Sequence, residues 1–220
     1  MDEKFEEKWP ELTFVLIVIN LIFFLFTYNI FSNEISSALI EMFGLRLEEL
    51  TSKPYTLITH AFIHSNPIHF SANILMLAIL GIAIEEKIGK FKFLLIFLLS
   101  SFSTVLFALL LEKLLGSYGV LIGSSGAIYG LMFVAACVAG WEEVPIILVP
   151  LLNLIGLPAV LLTAKNIKIP LFLAILFYLL LNLILFVLNF PYSIVEFAHF
   201  GGFLGGIVGF FMVLPGKKEK

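Results

Sequence analysis

The stretch GSSGAIYG occupies residues 123–130, in a chain whose residues are 60% hydrophobic. Six of its eight positions are Gly, Ser or Ala. Small residues have little apolar surface to bury, so their concentration here implies that something approaches closely. Gly126 and Gly130 form G-x-x-x-G, which places two small residues on one helical face and lets a second helix come in at backbone distance inside a membrane. A second such face is present near the C-terminus, in AHFGGFLGG over residues 198–206. Gly202 and Gly206 follow His199 by three and seven residues, so all three share a face. If the two small-residue faces meet, Ser125 and His199 come together.

The rest of the sequence says what kind of fold would bring them together. Only 13% of the 220 residues are charged, against about 25% in soluble domains, and the mean hydropathy is +1.08. Several runs approach the ~20 apolar residues needed to cross a bilayer. They are continuous rather than alternating, which argues against a β-barrel. The expected fold is an all-α polytopic membrane protein of six transmembrane helices, at about 12–31, 67–84, 91–112, 124–140, 170–190 and 193–214. Residues 1–10 and 215–220 are polar tails around a single membrane domain over 11–214. The loop 32–66 has Phe43, Leu45, Leu47 and Leu50 among charges, a pattern for short amphipathic helices at the interface. The acidic first ten residues do not resemble a signal peptide. A net charge of −3 without a basic patch gives no reason to expect a nucleic-acid partner. Cys137 is the single cysteine, so no internal disulfide forms, and its expected place is the core.

Charge sets the orientation. With the N-terminus inside and residues 144–163 not crossing, the inside holds Lys4, Lys8, Lys87, Lys90, Lys92, Lys165, Lys168, Lys217, Lys218 and Lys220. The outside holds Arg46, Lys53 and Lys113. That bias follows the positive-inside rule. Residues 144–163 are apolar but broken by Pro145, Pro150, Gly156 and Pro158, so they are expected to be interfacial or re-entrant, with a seventh crossing as the alternative. In the six-span arrangement His69, Ser125 and His199 all lie in the outer portions of their helices, at one depth.

Polar groups at membrane depth are costly and mark function. An aspartyl protease needs paired aspartates, and Asp2 is the only Asp. A zinc protease needs H-E-x-x-H, and the nearest pattern, His60 to His64, lacks the Glu. No metal or organic cofactor is expected. A Ser–His hydrolase needs a serine beside an imidazole and donors for an oxyanion. Ser125 and His199 meet the first need. His69 and Asn73, four apart on one face, meet the second with the Ser125 backbone N–H. Tyr129, one turn after Ser125, is placed to stack on or orient the His199 ring. Simpler roles suit other residues: Ser124 as an N-cap, His60 and His64 as partners for loop backbone, and Glu196 as a solvated helix-end residue.

Three motifs together, HSNPIHFSAN over 64–73, GSSGAIYG and AHFGGFLGG, resemble the rhomboid family of intramembrane serine proteases. The resemblance spans residues 10–214. It implies Ser125 as nucleophile, His199 as general base, His69 and Asn73 with the Ser125 backbone at the oxyanion, and Tyr129 packed on the base. Gly123, Gly126 and Gly202 would support them. It implies six helices around a water-filled cavity, transmembrane protein substrates, and a loop after the first helix lying partly in the bilayer. Glu85 and Gly89 match a family pattern with a structural role. Tyr55-Thr56 stands where many members have Trp-Arg, and residues 144–163 are longer than the usual link. The expected location is a prokaryotic plasma membrane, with both termini cytoplasmic and the site opening outward. Activity should fall at acid pH, because base action needs a neutral imidazole. The alternative is a non-catalytic rhomboid-like protein that binds membrane clients. A transporter would show internal inverted symmetry, which is absent.

Overall fold

The computed structural model describes residues 10–29, 34–116, 119–145, 168–189 and 194–213. The chain is mostly helical. Helix α1 (Glu11–Thr27) is followed by a two-stranded ribbon, β1 (Tyr28–Asn29) against β2 (Glu34–Ile35). Helix α2 (Ser37–Phe43), a 3₁₀ turn (Leu47–Glu49), α3 (Thr56–Thr59) and a second 3₁₀ turn (His60–Phe62) make up the long loop. Then come α4 (Pro67–Ile88), α5 (Lys90–Leu115) and α6 (Ser125–Ala139). A second ribbon pairs β3 (Glu143–Pro145) with β4 (Lys168–Pro170) and leads into α7 (Leu171–Asn189) and α8 (Ile194–Val213).

The six long helices lie at the positions expected for spans, though among the described residues only two of them are long and apolar enough to cross a bilayer, and the loop holds short helices as its pattern predicted. Two differences stand out. The first helix stops at Thr27 instead of 31, because Tyr28 is already extended and the Thr27 carbonyl accepts the Ser36 N–H of the ribbon at 2.9 Å. The ribbons add short strands to the all-α expectation. Of the segment expected at 144–163, only 144 and 145 are described. The β3–β4 register sets Pro145 opposite Lys168, so the chain leaves and returns at one place. The tails 1–9 and 214–220 lie outside the described residues.

Helix α6 is the hub. It packs on α4, α5, α7 and α8, and α5 and α8 also pack on each other. All residues from Ser125 to Met132 are buried. Their neighbours are Leu77, Leu80 and Ile84 of α4 with Phe93, Ile96 and Phe97 of α5. The last turn of α6 emerges from the bundle and turns Cys137 outward, while Val134, Ala135 and Ala139 stay inside. Cys137 is therefore exposed, contrary to its expected core position. Phe14, Phe26, Ile82, Phe91, Leu114, Val187 and Phe211 are all more than 60% exposed, an outer surface suited to hydrocarbon and not to water. Helices α4 and α5 are long and apolar enough to cross a bilayer by themselves; the other apolar helices are shorter.

Helix α1 is fastened to α4 by a buried carboxylate. The backbone N–H groups of Leu12 and Thr13 donate to Glu85 at 2.9 and 2.7 Å, and the Thr13 hydroxyl donates at 2.6 Å. Pro10 provides no side-chain cap, so Glu85 satisfies donors that the first turn leaves open and places a negative charge at the positive end of the helix dipole. One turn earlier, Gly81 lies against Thr13, where a side chain would collide. Gly89, at φ +83°, then turns the chain from α4 into α5.

Candidate active site

The approach to Ser125 is tied down from below. Leu121 and Leu45 exchange backbone hydrogen bonds at 2.8 and 3.0 Å, and the Gly123 N–H donates to the His60 carbonyl at 2.8 Å. The loop 45–62 thereby sets the height at which α6 begins. Gly123 adopts φ +106°, a conformation L side chains rarely take. A Cβ there would also lie 2.8 Å from His69 Nε2. Ser124 holds the N-cap position but has helical backbone angles and makes no cap bond, so the expected capping role falls away. Ser125 opens the helix.

The Ser125 hydroxyl and His199 Nε2 are hydrogen-bonded at 2.7 Å. The two residues are 74 apart in sequence, and the glycine faces bring them together. A side chain on Gly202 would run into the Gly126 carbonyl, one on Gly206 into the Gly130 backbone, and one on Gly130 into Ser100 and the Gly202 carbonyl. Gly201, Gly205 and Gly209 face α5 instead, along Phe107, Ser103, Ser100 and Ile96. Thus α8 lies in a trough between α5 and α6.

The His199 ring is stacked on Tyr129, centroids 4.7 Å apart and planes at 14°. Tyr129 in turn meets Tyr178 of α7 edge-on at 6.1 Å. In the arrangement where Nε2 accepts the serine hydrogen, the remaining ring hydrogen is on Nδ1. Among the described residues Nδ1 has no hydrogen-bond partner; the side chain of Glu196 lies outside them. The feature seen to orient this imidazole is the Tyr129 face.

His69 lies across the Gly123 turn from Ser125. The point that a Gly123 Cβ would occupy is 2.8 Å from His69 Nε2 and 3.6 Å from Ser125 Oγ, so both polar atoms border one small volume. Asn66 fixes the start of α4, accepting the His69 N–H at 2.8 Å. Asn73 follows one turn on, buried, with no acceptor for its amide nitrogen among the described residues. It is placed as a donor, without a direct contact to Ser125 or His199.

Of the other two histidines, His60 takes the expected loop-backbone role, whereas both ring nitrogens of His64 are buried without a hydrogen-bond partner among the described residues. His60 Nδ1–H donates to the Thr56 carbonyl at 2.8 Å, as expected of a partner for loop backbone. His64 sits edge-on to His69 at 5.0 Å. Burial pushes the two imidazoles down, to about 4 for His60 and about 3 for His64, so both are neutral at pH 7. At the Tyr55-Thr56 position, Thr56 is buried and its hydroxyl donates to the Lys53 carbonyl at 2.7 Å, closing the loop locally. Among the described residues no three His, Cys, Asp or Glu converge as a metal site would require.

Sequence reasoning missed three features. Ser65 contacts His69 Nδ1. Tyr178 buttresses Tyr129. Ser100 and Thr104 of α5 lie against Gly130 and Gly126. The polar run SSFST over 100–104, within an expected span, was the available signal for the last of these.

Comparison with known proteins agrees with this architecture. The family model described as Rhomboid domain matches residues 51–216. Two relatives come from Arabidopsis thaliana. RHOMBOID-like protein 1 is 27% identical over 165 residues, covering 73% of this chain and 35% of the relative. RHOMBOID-like protein 6, mitochondrial, is 28% identical over 192 residues, covering 84% of this chain and 53% of the relative. The chain thus spans about a third of the first and about half of the second.

Proposed function

Because the chain belongs to the rhomboid family, we propose that it is an intramembrane serine endopeptidase working through a Ser125–His199 dyad. The observation that carries this reading is the 2.7 Å hydrogen bond between the Ser125 hydroxyl and His199 Nε2, formed within a bundle whose outer surface is apolar. Gly123, having no side chain, also lets His69 Nε2 come close to the turn that carries the Ser125 hydroxyl.

The proposed steps are those of a Ser–His hydrolase. A substrate's transmembrane helix enters from the lipid and its end unwinds beside Ser125. His199 Nε2 takes the hydroxyl proton as Oγ attacks the scissile carbonyl. The new oxyanion is met by the Ser125 backbone N–H at the start of α6, by His69 and by Asn73. His199 then protonates the leaving amine, giving an acyl-enzyme. Water, deprotonated by the same imidazole, hydrolyses it. Stacking on Tyr129 keeps the ring in plane through both transfers.

The six-span arrangement with both termini inside is part of the same proposal. Helix α6 has 15 residues, about 23 Å at 1.5 Å each, short of the ~30 Å hydrocarbon core. A helix enclosed by protein does not have to match the bilayer, and its short outer end lets water reach Ser125. The adjacency of Pro145 and Lys168 supports a segment that leaves and re-enters on one side, and opposes a single seventh crossing. On this reading residues 11–214 are one membrane domain with cytoplasmic tails.

The test compares wild type, Ser125→Ala and His199→Ala on a single-span substrate with helix-breaking residues near its outer end, followed by mass spectrometry. Wild type should cut at a defined bond and both variants should lose at least about 10²-fold. Wild type that neither cuts nor reacts with an active-site serine probe would replace this reading with a non-catalytic protein that binds membrane clients.

A further inference from the structure

His69 must present a hydrogen, not a lone pair, if it is to meet an oxyanion. Which ring nitrogen carries that hydrogen is decided by what the other one touches. The Ser65 backbone N–H points at His69 Nδ1 from 3.4 Å, and the Ser65 hydroxyl lies 3.1 Å from the same nitrogen. An N–H can only donate, so Nδ1 is the acceptor. The Asn66 amide donates to Ser65 Oγ at 3.2 Å, which occupies a hydroxyl lone pair and leaves the hydroxyl hydrogen to point at Nδ1. Two donors thus converge on one ring nitrogen, and the neutral ring keeps its hydrogen on Nε2. Nε2, with Cε1, is the edge of the ring that packs against Gly123 on the side of the Ser125 hydroxyl.

We infer that Ser65 is a positioning residue that holds His69 in its Nε2–H tautomer, aiming a donor at the acyl oxygen of the scissile peptide. This rests on the protease reading above. The opposite tautomer is doubly unfavourable: it sets Nδ1–H against the Ser65 N–H and turns a lone pair toward developing negative charge. Rotation of the ring is limited on its other sides by the His64 ring, edge-on at 5.0 Å, and by the Asn66 cap on the His69 backbone. Ser65 itself is exposed at the mouth of the site, so its replacement leaves the core unaltered.

The experiment pairs a structural readout with a kinetic one. Protein labelled with ¹⁵N-histidine is prepared as wild type, Ser65→Ala and Ser65→Thr, and His69→Gln identifies the His69 signals. In wild type, Nδ1 should read as unprotonated and Nε2 as protonated. Ser65→Ala leaves only the longer backbone contact, so the two tautomers should mix and kcat should fall about five- to tenfold at unchanged KM. Ser65→Thr, which keeps the hydroxyl, should restore both. A hydrogen on Nδ1 in wild type overturns the inference. So does a Ser65→Ala protein with unaltered tautomer, whatever its kcat, or one with a shifted tautomer and unaltered kcat. A wild type that cuts nothing, while its His69 tautomer still responds to Ser65→Ala, removes the protease reading and leaves the hold on His69 standing.

Discussion

Adding one methyl group at Gly202 should disable the site without touching it. In Gly202→Ala the added Cβ would collide with the Gly126 carbonyl oxygen and sit 2.8 Å from the carbonyl carbon and 2.7 Å from Thr104 Oγ1. Thr104 can rotate away, but the Gly126 backbone cannot. The carbonyl oxygen is the tightest of these contacts and ordinary contact with a Cβ begins at 3.4 Å, so α6 and α8 must part by more than about 1 Å to restore van der Waals distance. Ser125 and His199 lie one residue before Gly126 and three before Gly202, on the helices being separated. Their 2.7 Å bond would stretch to roughly 3.7 Å or more, beyond the range for a hydroxyl donor. Misplacement on the order of 1 Å costs about 10²-fold in rate, so kcat/KM should fall by about 10- to 100-fold. Overpacking should also cost about 1–3 kcal/mol of stability. Gly209→Ala is the control. It lies on the same helix, but its Cβ would meet the flexible Ile96 Cγ1 at 3.1 Å, which can give way by a few tenths of an ångström. Its rate should stay within about twofold, and loss of a helical glycine favours folding by up to about 1 kcal/mol. Peptide cleavage and thermal unfolding of both variants in one detergent decide the matter. Equal activity in the two, or greater loss in Gly209→Ala, would refute the claim that the α6–α8 backbone contact sets the dyad distance.

Three further outcomes follow from the same structure. Glu85→Ala removes the acceptor for three α1 donors and should lower stability by about 2–4 kcal/mol, seen as a lower midpoint in thermal unfolding, with kcat of the folded fraction unchanged. Tyr129→Leu removes the stacked face on His199; an aromatic pair contributes about 0.5–1.5 kcal/mol, so kcat should fall about two- to tenfold, while Tyr129→Phe keeps most of the rate. The third concerns pH. Burial holds the His60 imidazole at about 4, below its unfolded value of about 6.5, so protons favour the unfolded chain. The stabilising effect is complete above about pH 6.5 and is lost on acidification by up to about 1.4 kcal/mol per unit until about pH 4. His60→Asn should flatten that part of the stability–pH curve, measured by unfolding between pH 4 and 7; an unchanged slope would show that another group carries it.

The six long helices were readable because their apolar runs are long and bounded by polar or glycine stops. The pairing of Ser125 with His199 was readable because two glycine faces at helical spacing flank them. What could not be read has a common cause: it depends on geometry between segments distant in sequence. Residues 28–29 and 34–35 look like the end of a span and a loop, and only their pairing makes a ribbon. Cys137 was expected in the core because cysteines favour burial, but which face of α6 it occupies depends on where the helix leaves the bundle. Ser124 has the residue type of an N-cap, yet the Gly123 turn gives it helical angles that direct its hydroxyl elsewhere. Ser65 reads as an ordinary loop serine until α4 starts at Pro67 and swings His69 Nδ1 toward it.

Within a bilayer, helices gain little from hiding apolar surface from one another, and close packing with polar contacts holds them together. In this protein the contact that joins α6 to α8 is also the one that sets the distance between hydroxyl and imidazole. Assembly and geometry are therefore coupled at Gly126, Gly130, Gly202 and Gly206, where a methyl group should cost stability and rate together. At the other side of the bundle, α1 is joined to α4 through Glu85, with neither helix of the dyad involved. Damage there should lower the fraction folded and leave the rate of each folded molecule intact. The small residues of the chain thus have a physical role that can be checked: paired loss of rate and stability along the glycine faces, and loss of stability alone along α1.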